Sequence, residues 1–212
     1  MKIYDELLRN LMAAPLCAVR NLLVLCIPAT AVLAASAEVP VIKAKVEEPV
    51  LQELMGGCSL KCGFPWQAEV HSAESKKPTA TKALNDESAE TAWIASGASL
   101  GVGAKFKLQF PKKLRAELEG QVPLYGLDLI NGFWKSEKEW KAHARVKQVR
   151  LYYNGTPFRD VVFADTRRWQ RITFPDFMVR SGDSMTLEVL EIYRGEEGAG
   201  AAISEIVLQG AH

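Results

Sequence analysis

Alternation of apolar and polar residues with a period of two is the feature that most limits what this chain can fold into. "AKFKLQF" sets Phe106, Leu108 and Phe110 against Lys105, Lys107 and Gln109. "LYGLDLING" places Leu127 and Leu129 on one face, and "VKQVRLYYNG" opposes Val149, Leu151 and Tyr153 to Arg150 and Tyr152. Successive side chains of a strand point to opposite faces, so such segments want to be strands with one face buried. "FRDVVFAD", "RWQRITF", "SMTLEVLEIYRG" and "AAISEIVLQG" continue the series, and Gly, Pro, Asn and Asp punctuate the breaks. Asn154-Gly155 is a strong hairpin signal. Many short strands at this spacing predict an all-β sandwich. One short segment, "EKEWKAH", reads equally as a helical turn or a loop.

The N-terminal third reads differently. Arg20 precedes an apolar run from Leu22 to Ala35, and Ala35 and Ala37 bracket Ser36. A charged start, a short apolar run and small residues at the break are the parts of a secretory signal peptide. Residues 1–37 are therefore expected to be a leader. Residues 38–57, with two prolines, scattered charge and a terminal Gly-Gly, are expected to be a linker, and the domain proper is expected over 58–212. Beyond the leader the chain keeps two cysteines, Cys58 and Cys62. A lone C-x3-C is poor for zinc, which wants four ligands. In an oxidising compartment the pair is expected to close a small disulfide loop, the alternative being two free thiols. These features place the protein in the periplasm or outside the cell.

With 48% hydrophobic residues and a net charge of +1, the composition is that of an ordinary globular protein. Such balance points away from nucleic acid as a partner, and no membrane segment is expected once the leader is gone. No metalloprotease helix, serine-nucleophile elbow or phosphate-cradling loop is read, so a non-enzyme is expected.

Two constellations could carry chemistry. The first is "ALNDESAETAWIASG", Ala83 to Gly97. A hard cation takes six to eight oxygens from carboxylates, hydroxyls and carbonyls. The stretch could supply the Ala83 and Ser88 carbonyls, the Asp86 carboxylate and Thr91, with Glu205 arriving from an otherwise apolar last strand. The same stretch could equally be a solvated turn in which Asp86 caps backbone amides. The second is "NGFWKSEKEWKAHARVK", with Asn131, Phe133, Trp134, Trp140, His143 and Arg145, joined by Tyr193 and Arg194 of "EIYRG". Aromatic faces beside cations can stack on sugars, pack at the edge of a core or dock a protein.

The order "ALND…TAW", "GVGAKFKLQF", "GLDLINGFWKS…W…ARVKQVRLYYNG", "VLEIYRG…AAISEIVLQG" resembles a discoidin-like, galactose-binding-like β-sandwich. It is most similar to the carbohydrate-binding-like translocation domain attached to bacterial NAD-glycohydrolase toxins. The resemblance runs from about Cys58 to Gly210 and implies a jelly-roll sandwich with adjacent first and last strands. It also implies a structural Ca²⁺ held by Ala83, Asp86, Ser88, Thr91 and Glu205, with Trp93 in the core beneath. Ligand contact would fall on Trp134, His143, Arg145, Tyr193 and Arg194. The implied role is that of a non-catalytic carbohydrate-binding module, the alternative being an envelope-protein interaction module using the same loops. The NAD-cleaving activity of the toxins resides in a separate domain and is not carried over.

Overall fold

The alternating segments become the strands they predict. The computed structural model describes residues 38–47, 65–72, 79–112 and 121–210; the expected leader and the Cys58/Cys62 pair lie outside them. Twelve strands form among the described residues: β1 (Val41–Lys43), β2 (Lys45–Val46), β3 (Gln67–His71), β4 (Thr79–Ala80), β5 (Trp93–Ile94), β6 (Lys105–Gln109), β7 (Gln121–Asn131), β8 (His143–Tyr153), β9 (Thr156–Val162), β10 (Gln170–Arg180), β11 (Ser184–Tyr193) and β12 (Ala199–Gly210). "EKEWKA" is the helix α1 (Glu137–Ala142), started by an N-cap in which Ser136 Oγ accepts the Glu139 N–H.

One sheet runs β4-β3-β6-β11-β8-β9-β1 and the other β2-β10-β7-β12-β5. All pairings within them are antiparallel except β1 on β9. A short parallel contact of Ala199 and Ala201 with His143 and Ala144 stitches the sheets together. The inner faces interdigitate. Phe106, Leu108, Leu151, Leu187 and Val189 of the first sheet meet Leu127, Leu129, Ile172, Ile206 and Leu208 of the second. Each such side chain removed from water contributes about 1.5–3 kcal/mol before chain entropy is subtracted. Trp93 meets the core edge-on to Phe106, with ring centroids 4.7 Å apart. Asn154 and Gly155, with φ of 48° and 82°, make the tight β8–β9 turn that their identities predict.

Two expectations need correcting. The C-terminal strand β12 lies between β7 and β5, not beside the first strand of the domain. The segment expected as a linker also joins the sandwich. Residues 40–47 cross from one sheet to the other: the Pro40 carbonyl accepts from Asp160 N, Ala44 N donates to Val162 O, and Glu47 N donates to Trp169 O, each at 2.8–2.9 Å. Ile42 and Ala44 pack against the core while Lys43 and Lys45 face out. Pro40, Lys43 and Lys45, which read as linker, are features of an edge strand, where lysine discourages pairing with other chains. The compact unit accordingly begins at Glu38.

A chain starting at Cys58 should thus be less stable than one starting at Glu38, by at least about 2 kcal/mol from the burial of Ile42 and the lost ladder bonds. Urea unfolding of the two chains measures the difference; equal midpoints would show that the strap adds nothing.

Candidate functional site

The aromatic loop grows from the end of β7. Asn131 is buried there, and its amide takes both backbone groups of Val146: Nδ2 donates to Val146 O at 2.7 Å and Oδ1 accepts Val146 N at 2.9 Å. Its own carbonyl accepts the indole N–H of both Trp134 and Trp140, each at 3.0 Å. The chain then turns at Gly132, with φ of 93°, where a Cβ would lie 2.5 Å from the Trp140 ring. Only glycine fits that conformation and that space. The Ser204 hydroxyl donates to Gly132 O and accepts Trp134 N, tying the loop to β12.

The cations of this end are consumed by the same knot. Arg145 donates to both Asp165 oxygens at 2.9 and 2.8 Å and to the His143 carbonyl at 2.8 Å, and its guanidinium stacks 4.6 Å from the Trp140 ring. Arg167 covers Trp134 at 5.4 Å and donates to its carbonyl. His143 Nδ1 bonds the Glu139 carbonyl at 2.9 Å, and its ring meets Phe133 edge-on. Tyr193, opposite Arg145 in register, donates its hydroxyl to Phe163 O at 3.0 Å. Lys147 lies over the Tyr193 ring; hydrogen bonding to Glu191 raises the pKa of that ammonium.

The five expected ligand residues therefore gather at one end of the sandwich but present unequal surfaces. Trp134 and Arg145 are only 6% and 7% exposed and serve as the inner wall of the loop. His143 and Tyr193 show part of their rings, and Arg194 is exposed. Isolated Trp and Arg residues in a polar segment look like a binding face. Here they bury one another, because an indole N–H and a guanidinium are tolerated inside when carbonyls and a carboxylate await them.

The acidic stretch folds back on itself. Asp86 Oδ1 accepts Ser88 N at 3.0 Å and Oδ2 accepts the Thr91 hydroxyl at 2.7 Å; that hydroxyl lies 3.3 Å from the Ser88 carbonyl oxygen. The last strand runs against this loop. Ile206 N donates to the Leu84 carbonyl at 2.8 Å, and Ala89 packs on the cluster of Ile130, Trp134 and Trp169. Glu205 itself is 2% exposed. The Asp86 carboxylate, the Thr91 hydroxyl and the Ser88 carbonyl thus meet within the loop, and they are hard oxygen donors of the type that Ca²⁺ takes. Among the described residues no three His, Cys, Asp or Glu side chains cluster for a metal, so the chemistry does not resemble a zinc centre.

One sequence signal was missed. "GASLG", Gly97 to Gly101, has the G-x-S-x-G spacing of a nucleophile elbow. The structure gives it no strand–turn–helix setting: residues 97–103 form turns, and the Ser99 hydroxyl accepts Gly101 N at 3.3 Å. The pattern is a turn of small residues packing against Ala95 and Ala201.

Replacing Asn131 by Ala would strand the buried N–H and C=O of Val146 and should cost about 3 kcal/mol. Chemical denaturation measures that loss, and a change below about 1 kcal/mol would mean the amide is not the clamp described.

The family described as the NAD glycohydrolase translocation F5/8 type C domain matches residues 64–209. No curated protein matches the chain. Among solved structures, the chain is similar to the CBM32-1 and CBM32-2 domains of Clostridium perfringens ZmpB in complex with GalNAc. That match has a TM-score of 0.50 and 9% identity, and covers 82% of this chain and 41% of that one. A second match, to the CBM32-1, CBM32-2 and M60 catalytic domains of the same protein, has a TM-score of 0.47 and 10% identity, covering 86% of this chain and 18% of that one. The chain thus spans less than half the length of either structure, and the likeness is one of fold. A discoidin-like sandwich of this strand order, matched by the family over nearly all of its described length, belongs to the NAD glycohydrolase translocation F5/8 type C domain family.

Proposed function

We propose that the protein is an exported, non-catalytic carbohydrate-binding module acting at the bacterial cell envelope or beyond it. The observation that carries this reading is the fold shared, over 82% of the chain, with a CBM32 pair whose structure was obtained with GalNAc. The loop end adds chemical support. Loops held by a rigid sandwich are where such modules make contacts, and here they are anchored by Asn131, Ser204 and the Arg145–Asp165 pair. Contact falls on the half-open rings of His143 and Tyr193 and on Arg194, with Trp134 and Arg145 as the wall that holds them. The nucleophile-like Ser99 sits in a turn, in keeping with a role without catalysis.

A Ca²⁺ ion belongs to the same proposal. The Ala83 and Ser88 carbonyls, Asp86, Thr91 and Glu205 would hold it, and it would brace the loop against β12. Its role would be structural: it would fix the chain entering β5.

Binding to a glycan array tests the main reading. The full chain should bind at least one glycan, and Arg194→Ala should weaken that binding about tenfold, or about 1.4 kcal/mol, without changing the melting temperature. A blank array, with an envelope protein co-purifying and lost on Arg194→Ala, would replace the glycan by a protein partner. For the ion, Ca²⁺ at 100 times its Kd adds about 2.7 kcal/mol, which is roughly 5–10 °C in a domain of this size. EDTA should remove that increment, and Asp86→Ala should abolish the response to Ca²⁺. An identical melting temperature with and without EDTA would dismiss the ion.

A further inference from the structure

The outer face of the second sheet holds a groove that neither the loop end nor the acidic stretch explains. It has a volume of about 640 Å³ and is walled by Pro123, Tyr125, Thr173, Pro175, Phe177 and Met178. Tyr125 is 53% exposed and Met178 41%, two large apolar side chains side by side at the surface. Contiguous exposed apolar surface of this kind marks interaction sites.

The groove is a built feature of the sheet. On one side of β7 the register runs from Thr173 opposite Gly126 to Phe177 opposite Leu124, so Tyr125 faces three residues of β10. On the other side it runs from Gln209 opposite Gly126 to Gly210 opposite Leu124, so Tyr125 has no partner on β12. Tyr125 is thus out of register in both ladders: β10 bulges opposite it, and it is itself the bulged residue against β12. Bulges re-aim side chains and recur beside binding sites. Gly126 makes this one possible, since a Cβ there would lie 2.4 Å from the Ile172 carbonyl oxygen. Phe177 at the floor is stacked on Phe158, with centroids 5.6 Å apart, and meets Tyr153 edge-on.

The chemistry selects an occupant. The six named walls carry no charge, which fits a neutral ligand. Pro175 has no N–H and the bulges interrupt the β10 ladder, so an added peptide strand would find no register to pair with. Gly126 is flanked across the strands by Thr173 and Gln209, and Gln209 Nε2 donates to Asp128, itself doubly bonded by Arg171. An exposed aromatic platform bordered by a hydroxyl, an amide and an ion pair offers stacking to a sugar ring and hydrogen bonds to its hydroxyls. The volume lies within the range of small-molecule sites and the groove is open to solvent.

We propose that this groove is a second glycan-contact site, in which Tyr125 stacks on a ring of a neutral oligosaccharide. The inference rests on the carbohydrate reading of the protein and assigns it a site away from the loop end. Titration calorimetry of the full chain with cellohexaose, xylohexaose, chitohexaose and monomeric GalNAc tests it. At least one hexasaccharide should bind. Tyr125→Ala should weaken that binding about tenfold, or about 1.4 kcal/mol, while Tyr125→Phe, which keeps the ring, stays within about twofold of the wild type. Because Tyr125 is more than half exposed, both variants should melt with the wild type, which a thermal scan confirms before titration. Hexasaccharide binding unchanged by Tyr125→Ala but lost on Arg194→Ala would overturn this site and leave the carbohydrate reading standing. No binding of any probe by the wild type, together with a blank glycan array, would remove both.

Discussion

The side chain of Asn131 is the interaction on which the loop end depends. It sits where β7 of one sheet passes β8 of the other, and it answers the N–H and C=O of Val146 with one planar amide. A sandwich must leave backbone groups unpaired where a strand of one sheet runs past the other, and unpaired buried groups are expensive. Asn is the side chain that can donate and accept at once in this geometry. The residue's carbonyl then gathers both indoles, and the indoles gather the two arginines. One polar residue at a strand end thereby orders two tryptophans, a helix and the start of β8.

Charge is handled by the same logic on the sheet surfaces. Across the outer face of the first sheet, Lys105, Glu188, Arg150 and Asp160 follow one another on neighbouring strands. Lys105 pairs with Glu188, Arg150 forms a two-pronged bond to Asp160, and the Tyr152 hydroxyl donates to Glu188. The hydrogen bond to Asp160 raises the Arg150 pKa. On the second sheet Asp128 is buried beneath Arg171 and Gln209. Opposite charges placed directly across a ladder favour one register over its neighbours, because a one-residue slip would set them against apolar or like-charged partners.

Much of this was legible in the sequence. Phe106, Leu108 and Phe110 point inward as their alternation requires, and Asn154-Gly155 turns the chain where it should. The family resemblance implied that the last strand meets the acidic loop, and the Ile206–Leu84 hydrogen bond joins those two segments, although by a different strand order from the one implied. The failures share a cause: each is a position whose role depends on a partner distant in sequence. The choice between a binding face and packing at the core edge stayed open for Trp134 and Arg145, because nothing near them announces Asp165 or Ser204. Residues 41–46 read as linker because three-residue edge strands carry too short a pattern to distinguish from coil. Tyr125 reads as an ordinary strand residue, since a bulge is a property of register and register belongs to two strands at once.

Strand β7 unites these results. It carries Asn131 at one end, Ile130 beside Glu205 next to it, then Asp128, and Tyr125 beside its midpoint at Gly126. Six residues of extended chain separate Tyr125 from Asn131, roughly 20 Å. Tyr125 stands on β7 itself, while the proposed loop-end contacts, His143 of β8, Tyr193 of β11 and Arg194 after it, are tied to the end of β7 through Asn131, so the separation of the two sites is set by the sandwich and not by a flexible segment. Two contacts at a fixed distance strengthen each other only for a ligand long enough to reach both; a shorter one engages either alone. Length selectivity would then come from the stiffness of the sandwich and not from any additional side chain. The Gly126 bulge, which looks like a defect in a central strand, is what turns one contact toward the ligand without disturbing the core beneath it.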